Sequence, residues 1–161
     1  MDERIHEHAE VLVDWSARIE AGDDVVLAVD EGAHDLAVAV AEKLGERGAN
    51  LLATYQSGEL QRAYLRAHDD EFEADPAFEL SLYENADAVL SLGGTRNTTA
   101  GADVPGERRQ AYGKAREAVR EARFSTDWVS TLHPTRAYAQ QAGMAYEEYQ
   151  DFVYDAVLRD W

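Results

Sequence analysis

The sequence predicts an α/β fold in which a mostly parallel sheet of about four or five strands lies between layers of helix. Three observations carry that reading. Short strand-like runs recur along the chain: Val25–Val29, Leu51–Tyr55, Ala88–Leu92 and Trp128–Leu132. Segments with apolar residues at helical spacing alternate with them. The first two runs flank a single helical segment, the spacing of a βαβ unit, which implies parallel strands and a right-handed crossover. Together these give a Rossmann-like three-layer arrangement, and the 161 residues suit one domain, 1–161, with a core of its own.

Each element has a local justification. Asp2 to Ala21 reads as an amphipathic helix with Ile5, Ala9, Leu12, Ser16 and Ile19 on one face, ended by Gly22. Val25–Val29 is too continuously apolar for a half-exposed strand and belongs in the buried middle of the sheet. Ala33 to Arg47 carries Leu36, Ala37, Val40 and Leu44 at helical spacing, with Gly48 as its carboxyl-terminal cap. Leu51–Tyr55 is the second strand, Ser57–Ala67 a helix, 68–75 an acidic loop and Pro76–Asn85 a short helix. After the Ala88–Leu92 strand comes the longest irregular stretch, Gly93 to Gly106. Glu107–Arg123 reads as one helix, Trp128–Leu132 as the fourth strand, and Thr135–Gly143 and Ala145–Trp161 as closing helices.

The charge is built in an unusual way. There are 15 Asp and 17 Glu against 13 Arg and only 2 Lys, for a net charge of −17. Such a surface argues against nucleic acid, whose phosphates recruit cations, and against anionic membrane surfaces. No Cys is present, which removes disulfides, thiolate nucleophiles and zinc ribbons. No apolar run approaches about 18 residues and no leader pattern opens the chain. Acid excess alone suits an ordinary acidic protein, but the near-absence of Lys does not follow from it. The composition is that expected for the molar-salt cytoplasm of a salt-in halophile of archaeal type, where the Debye length falls to about 3 Å and self-repulsion is screened.

Candidate chemistry is sparse. The loop Gly93-Gly94-Thr95-Arg96-Asn97-Thr98-Thr99 leaves the carboxyl end of the third strand, the edge at which parallel sheets favour ligands. Its glycines, hydroxyls and Arg96 make Gly93, Gly94, Thr95, Arg96 and Asn97 a candidate anion site, although neither a Walker loop nor a dinucleotide fingerprint is present. A solvated turn is the plainer reading of the same residues. The five His have no metal-ligand spacing: His6 and His8 point about 200° apart on a helix, and no H-E-x-x-H occurs. Six of the fifteen Lys and Arg fall within 108–123, a segment read as pairing with its own acidic domain or docking an acidic partner. In the last helix Tyr149, Phe152, Val153, Ala156 and Val157 form one apolar stripe. Tyr154, Leu158 and Trp161 form a second, displaced by more than about 100°. That second stripe is a candidate interface, for another subunit or for a domain following Trp161.

Trp128-Val129, His133-Pro134-Thr135, Ala139-Gln140-Gln141-Ala142-Gly143-Met144, Glu148-Tyr149 and Asp151-Phe152 together resemble the thermophilic-type metallo-aminopeptidases, the aminopeptidase T and aminopeptidase S family. The amino-terminal βαβ region, Ala86-Asp87-Ala88 and the Asn97 loop are similar to that family's first domain, so the resemblance runs over essentially the whole chain. It implies a dimeric peptidase that removes amino-terminal residues from peptides with two divalent cations of the Zn, Co or Mn type. In that family a second domain carries two Glu, two His and an Asp as ligands. None of those motifs has a counterpart in 1–161, so the resemblance assigns this chain no catalytic residue and no bound metal. It implies an architectural half, paired with a copy or with a catalytic domain beyond residue 161. The alternative is a stand-alone binding or interaction module that uses the Gly93–Thr99 loop.

The composition yields a direct test. Denaturant midpoints are expected to fall as KCl is lowered from about 3 M to roughly 0.1 M, because unscreened carboxylates then repel across the folded surface. Equal midpoints at both concentrations would remove the halophilic reading.

Overall fold

The computed structural model describes residues 2–161, among which lie four strands and eight helices. The strands β1 (Asp24–Asp30), β2 (Asn50–Gln56), β3 (Ala88–Gly93) and β4 (Asp127–Leu132) form one parallel sheet in the order β2-β1-β3-β4. Thus β1 is central and β2 is an edge, in keeping with the buried run at 25–29 and the exposed positions along 50–56. The chain steps one way from β1 to β2 and the other way from β2 to β3. A right-handed crossover therefore puts α2 (His34–Arg47) on one sheet face, and α4 (Ala77–Glu84) and α6 (Glu117–Phe124) on the other.

The first face carries the main core. Val25, Leu27 and Val29 of β1 and Ala88, Leu90 and Leu92 of β3 pack beneath α1 (Glu3–Glu10), α2 and α8 (Tyr146–Val157). The second face has a smaller cluster: Val26 and Val89 meet Tyr83 of α4 and Val119 of α6. Three further helices complete the chain: α3 (Gly58–Ala67), α5 (Gly106–Ala115) and α7 (Arg136–Ala142). Side-chain caps start several helices. Asp2 accepts from the Arg4 amide, Ser57 from Leu60 and Thr135 from Tyr138. Gly48 and Gly143 close α2 and α7 at φ 74° and 68°.

Three helices differ from the periodic pattern, the last because α8 ends at Val157 and leaves Leu158 to Trp161 outside it. The first does not run to Ala21: regular α-helix gives way at Val11 to wider π-type turns that end at Ser16, and Arg18 takes φ 50°. The wider turns turn Leu12 and Val13 inward together, and Ile19 still reaches the core. The stretch 107–123 is two helices, broken at Arg116 (φ −113°, ψ 23°), whose guanidinium is drawn to Glu79 and to the Tyr112 hydroxyl. Helical periodicity cannot register a break caused by a partner far away in sequence.

The tightest backbone approach lies where β1 and β3 end. A Cβ on Gly32 would overlap the Gly94 carbonyl oxygen, and one on Gly94 would lie 2.6 Å from the Ala33 nitrogen. Gly94→Ala is expected to lower stability by about 2 kcal/mol, since backbone must move to admit the methyl group. Gly101→Ala, with open space around it, is expected to stay within about 0.5 kcal/mol of the parent in the same denaturant titration.

Candidate functional site

Connections leave β1 and β3 in opposite directions, so the crevice between their carboxyl ends is the topological switch point of the sheet. The Gly93–Asn97 loop does lie there, but the chain fills the crevice with its own groups. The Asp30 carboxylate accepts the Gly94 amide at 3.1 Å, Glu31 accepts the Arg96 amide at 3.4 Å, and the Tyr138 hydroxyl accepts the Thr95 amide at 3.4 Å. Thr135 Oγ1 donates to the Thr95 carbonyl at 2.9 Å, and the His133 amide donates to Gly93 O at 2.7 Å. Asn97 turns back on its own loop and accepts from Thr99. An anion at these amides would meet two carboxylates, while the exposed Arg96 makes no ion pair among the described residues. Neither the Asp30 nor the Glu31 contact has a sequence signal, because the pairing spans more than sixty residues.

The second stripe of the last helix also meets its partners within the chain. Tyr154 is 2% exposed, edge-on to the His8 ring at 6.4 Å and beneath the Arg4 guanidinium at 4.5 Å. Leu158 packs against the main core, and Trp161 lies 5.9 Å from the Trp15 ring while staying 61% exposed. Helix α1 therefore covers much of a stripe that is unpartnered when α8 is considered alone.

Beneath α1 and α8 lies a small buried polar group. His8 Nε2 is 3.0 Å from Thr131 Oγ1, while His8 Nδ1, His133 Nδ1 and the Tyr154 hydroxyl are buried without a hydrogen-bond partner. Burial pushes His8 down to about 4, with the neighbouring His133 adding to the effect, and burial likewise lowers His133. Burial pushes the Tyr154 phenol up to about 12. Two neutral imidazoles without carboxylate partners do not make a metal centre. Among the described residues no group of three or more His, Cys, Asp or Glu is placed to hold an ion. The donor set of the described residues does not fit a divalent metal pair.

The open space lies instead on the second sheet face. A cavity of about 830 Å³ is lined by Ala28 and Thr54 of the sheet, by Tyr64, His68, Phe72 and Tyr112, and by Arg116 and Arg123. The basic segment serves this region. Arg108 pairs with Asp70 at 2.7 Å and also donates to the Leu65 carbonyl, while Arg116 pairs with Glu79. Two of the six cations are thus matched by the chain's own acids, while Arg109, Lys114, Arg120 and Arg123 make no ion pair among the described residues.

A model of the thermophilic metalloprotease (M29) family matches residues 1–160. The chain belongs to that family. Among solved structures, wild-type AmpT from Thermus thermophilus superposes with a TM-score of 0.76 at 22% identity, over 97% of this chain and 43% of that one. This likeness is one of fold, and the chain spans less than half the length of that relative. No curated protein matches the chain.

The buried histidine generates a pH test. His8 titrates near 6.5 when unfolded and near 4 when folded, so the unfolded state binds the extra proton between those values. Its contribution is full above pH 6.5 and is lost as pH falls towards 4. Between about pH 7 and pH 5 the parent is expected to lose roughly 2 kcal/mol more stability than His8→Phe. Parallel pH profiles for the two proteins would show that His8 is not held neutral by the fold.

Proposed function

We propose that this chain is the amino-terminal α/β domain of a metal-dependent aminopeptidase, a dimeric enzyme of a high-salt cytoplasm that removes amino-terminal residues from peptides. The observation that carries the reading is the family match over residues 1–160. The sequence resemblance supports the same activity through the Pro134-Thr135 and Ala139–Met144 run, which caps and builds α7 beside the switch point.

Catalysis in this class requires metal-activated water and a base held on one rigid scaffold. The described residues offer no such donor set, so the proposed role of 1–161 is architectural. It presents a rigid sheet whose closed β1–β3 crevice and α7–α8 corner can support a catalytic half that carries two Glu, two His and an Asp. The stand-alone anion-binding alternative is not advanced, because carboxylates already occupy two of the loop amides.

The test uses the 161-residue chain in concentrated KCl with leucine p-nitroanilide and added Co²⁺ or Zn²⁺. No hydrolysis above the buffer rate is expected. Turnover that a chelator abolishes would overturn the architectural role. The family activity itself is tested by the reading frame downstream of codon 161: a continuation with the Glu and His ligands supports it, and unrelated sequence counts against it.

A further inference from the structure

The second sheet face is covered unevenly, and the strand register explains why. Leu52, Val26, Val89 and Trp128 stand side by side across the four strands, and two residues further on so do Thr54, Ala28, Ser91 and Ser130. The two inner members of the first row, Val26 and Val89, pack beneath α4 and α6, while Leu52 and Trp128 on the edge strands stay about half exposed. No member of the second row is larger than threonine, so it leaves a depression nearer the carboxyl ends of the strands. Ala28 and Thr54 of this row line the floor of the cavity of about 830 Å³, a size within the ~300–1,000 Å³ range of small-ligand sites.

The walls are of two chemical kinds. On one side stand aromatic rings: Tyr64 and Tyr112 are 6.0 Å apart, Phe72 and Tyr112 5.3 Å, and His68 stacks on Phe72 at 4.2 Å. These surfaces suit a planar or bulky apolar body. On the other side Arg123 reaches down from α6 to the small-residue row. Its Nη2 donates to Ser91 Oγ, and its Nε is buried with no acceptor. Among the described residues no carboxylate pairs with it, whereas Arg4, Arg47, Arg62, Arg66, Arg108 and Arg116 each have one. In a chain with 32 acids and 15 bases, a half-buried arginine left without an acid stands out. The other arginine of the lining is neutralised by Glu79, and the unpaired Glu73 is exposed. A cation removed from water without a counter-ion is unfavourable, and a bidentate anion on its remaining donors offsets that cost.

We propose that this cavity binds a small carboxylate bearing an aromatic or bulky apolar group, with the carboxylate on Arg123 and the apolar body among Tyr64, Phe72 and Tyr112. The site is independent of the peptidase assignment: it requires neither metal nor a second domain.

Phenylacetate is the probe, with benzyl alcohol as its uncharged counterpart and acetate as the anion without a ring. Each is titrated into the 161-residue chain in about 3 M KCl while amide NMR signals are followed, since a partly buried pair is screened less than a surface one. Phenylacetate is expected to shift the Thr54, Ser91 and Tyr64 amides saturably, with both controls about tenfold weaker. Arg123→Gln is expected to weaken phenylacetate about tenfold with the fold retained. Should loss of the Ser91 contact unfold that variant, Tyr64→Ala removes only a half-exposed ring and is expected to weaken the probe several-fold. Absent shifts, shifts that map elsewhere, equal binding of benzyl alcohol, or unchanged affinity in a folded variant would each overturn the proposal.

Discussion

Gly32 and Gly94 meet backbone to backbone at the carboxyl ends of β1 and β3, with no room for a side chain on either. Much of the molecule's layout follows from that approach. It brings Asp30 and Glu31 onto the amides of the Gly93–Asn97 loop, and it seats the Thr95 carbonyl against the Thr135 hydroxyl. Thr135 is also the cap of α7, so one contact ties the switch point to the start of the last two helices. The crevice in which open α/β sheets commonly hold ligands is thereby filled with protein. A cavity of about 830 Å³ lies instead where Ala28 and Thr54 of the small-residue row face the second side of the sheet.

The acid excess is distributed with the same economy of partners. Most of the arginines that meet carboxylates do so far along the chain: Arg62 and Arg66 with Asp103, Arg108 with Asp70, Arg116 with Glu79, Arg47 with Asp14. Exposed pairs of this sort contribute little stability each, but they fix which helix lies beside which. Arg116 shows the structural side of this choice, because its turn toward Glu79 coincides with the break between α5 and α6. Arg123, one turn beyond Val119, stands at the margin of the smaller core without an acid partner, and so the cavity keeps a positive wall in a strongly negative protein.

Much of the fold is legible in the residues. The four strand-like runs are the four strands, Gly48 and Gly143 are left-handed caps, and the all-apolar Val25–Val29 is one of the two interior strands, as its burial on both faces requires. Two helices depart from their pattern in different ways: the first widens at Val11, with Leu12, Val13 and Ile19 all reaching the core, and the 107–123 stretch breaks at Arg116, where that residue meets Glu79. The second stripe of α8 looked unpartnered in sequence because its cover, α1, lies at the other end of the chain. The small row Thr54, Ala28, Ser91 and Ser130 is visible in each strand, yet its alignment needs a register that no single strand contains.

The sequence by itself determined the class of fold, the number and polarity of its layers, the acidic surface and the family to which the chain belongs. The fold class and the surface rest on local periodicity, capping and composition, which are written along the chain; the family rests on the resemblance of runs such as His133-Pro134-Thr135 and Ala139–Met144. What the tertiary contacts add is that Asp30 and Glu31 accept two amides of the Gly93–Asn97 loop, and that a cavity lies on the second sheet face beside Arg123. Both depend on contacts between residues more than thirty positions apart, where pairing is set by strand register and helix placement rather than by any neighbour in sequence.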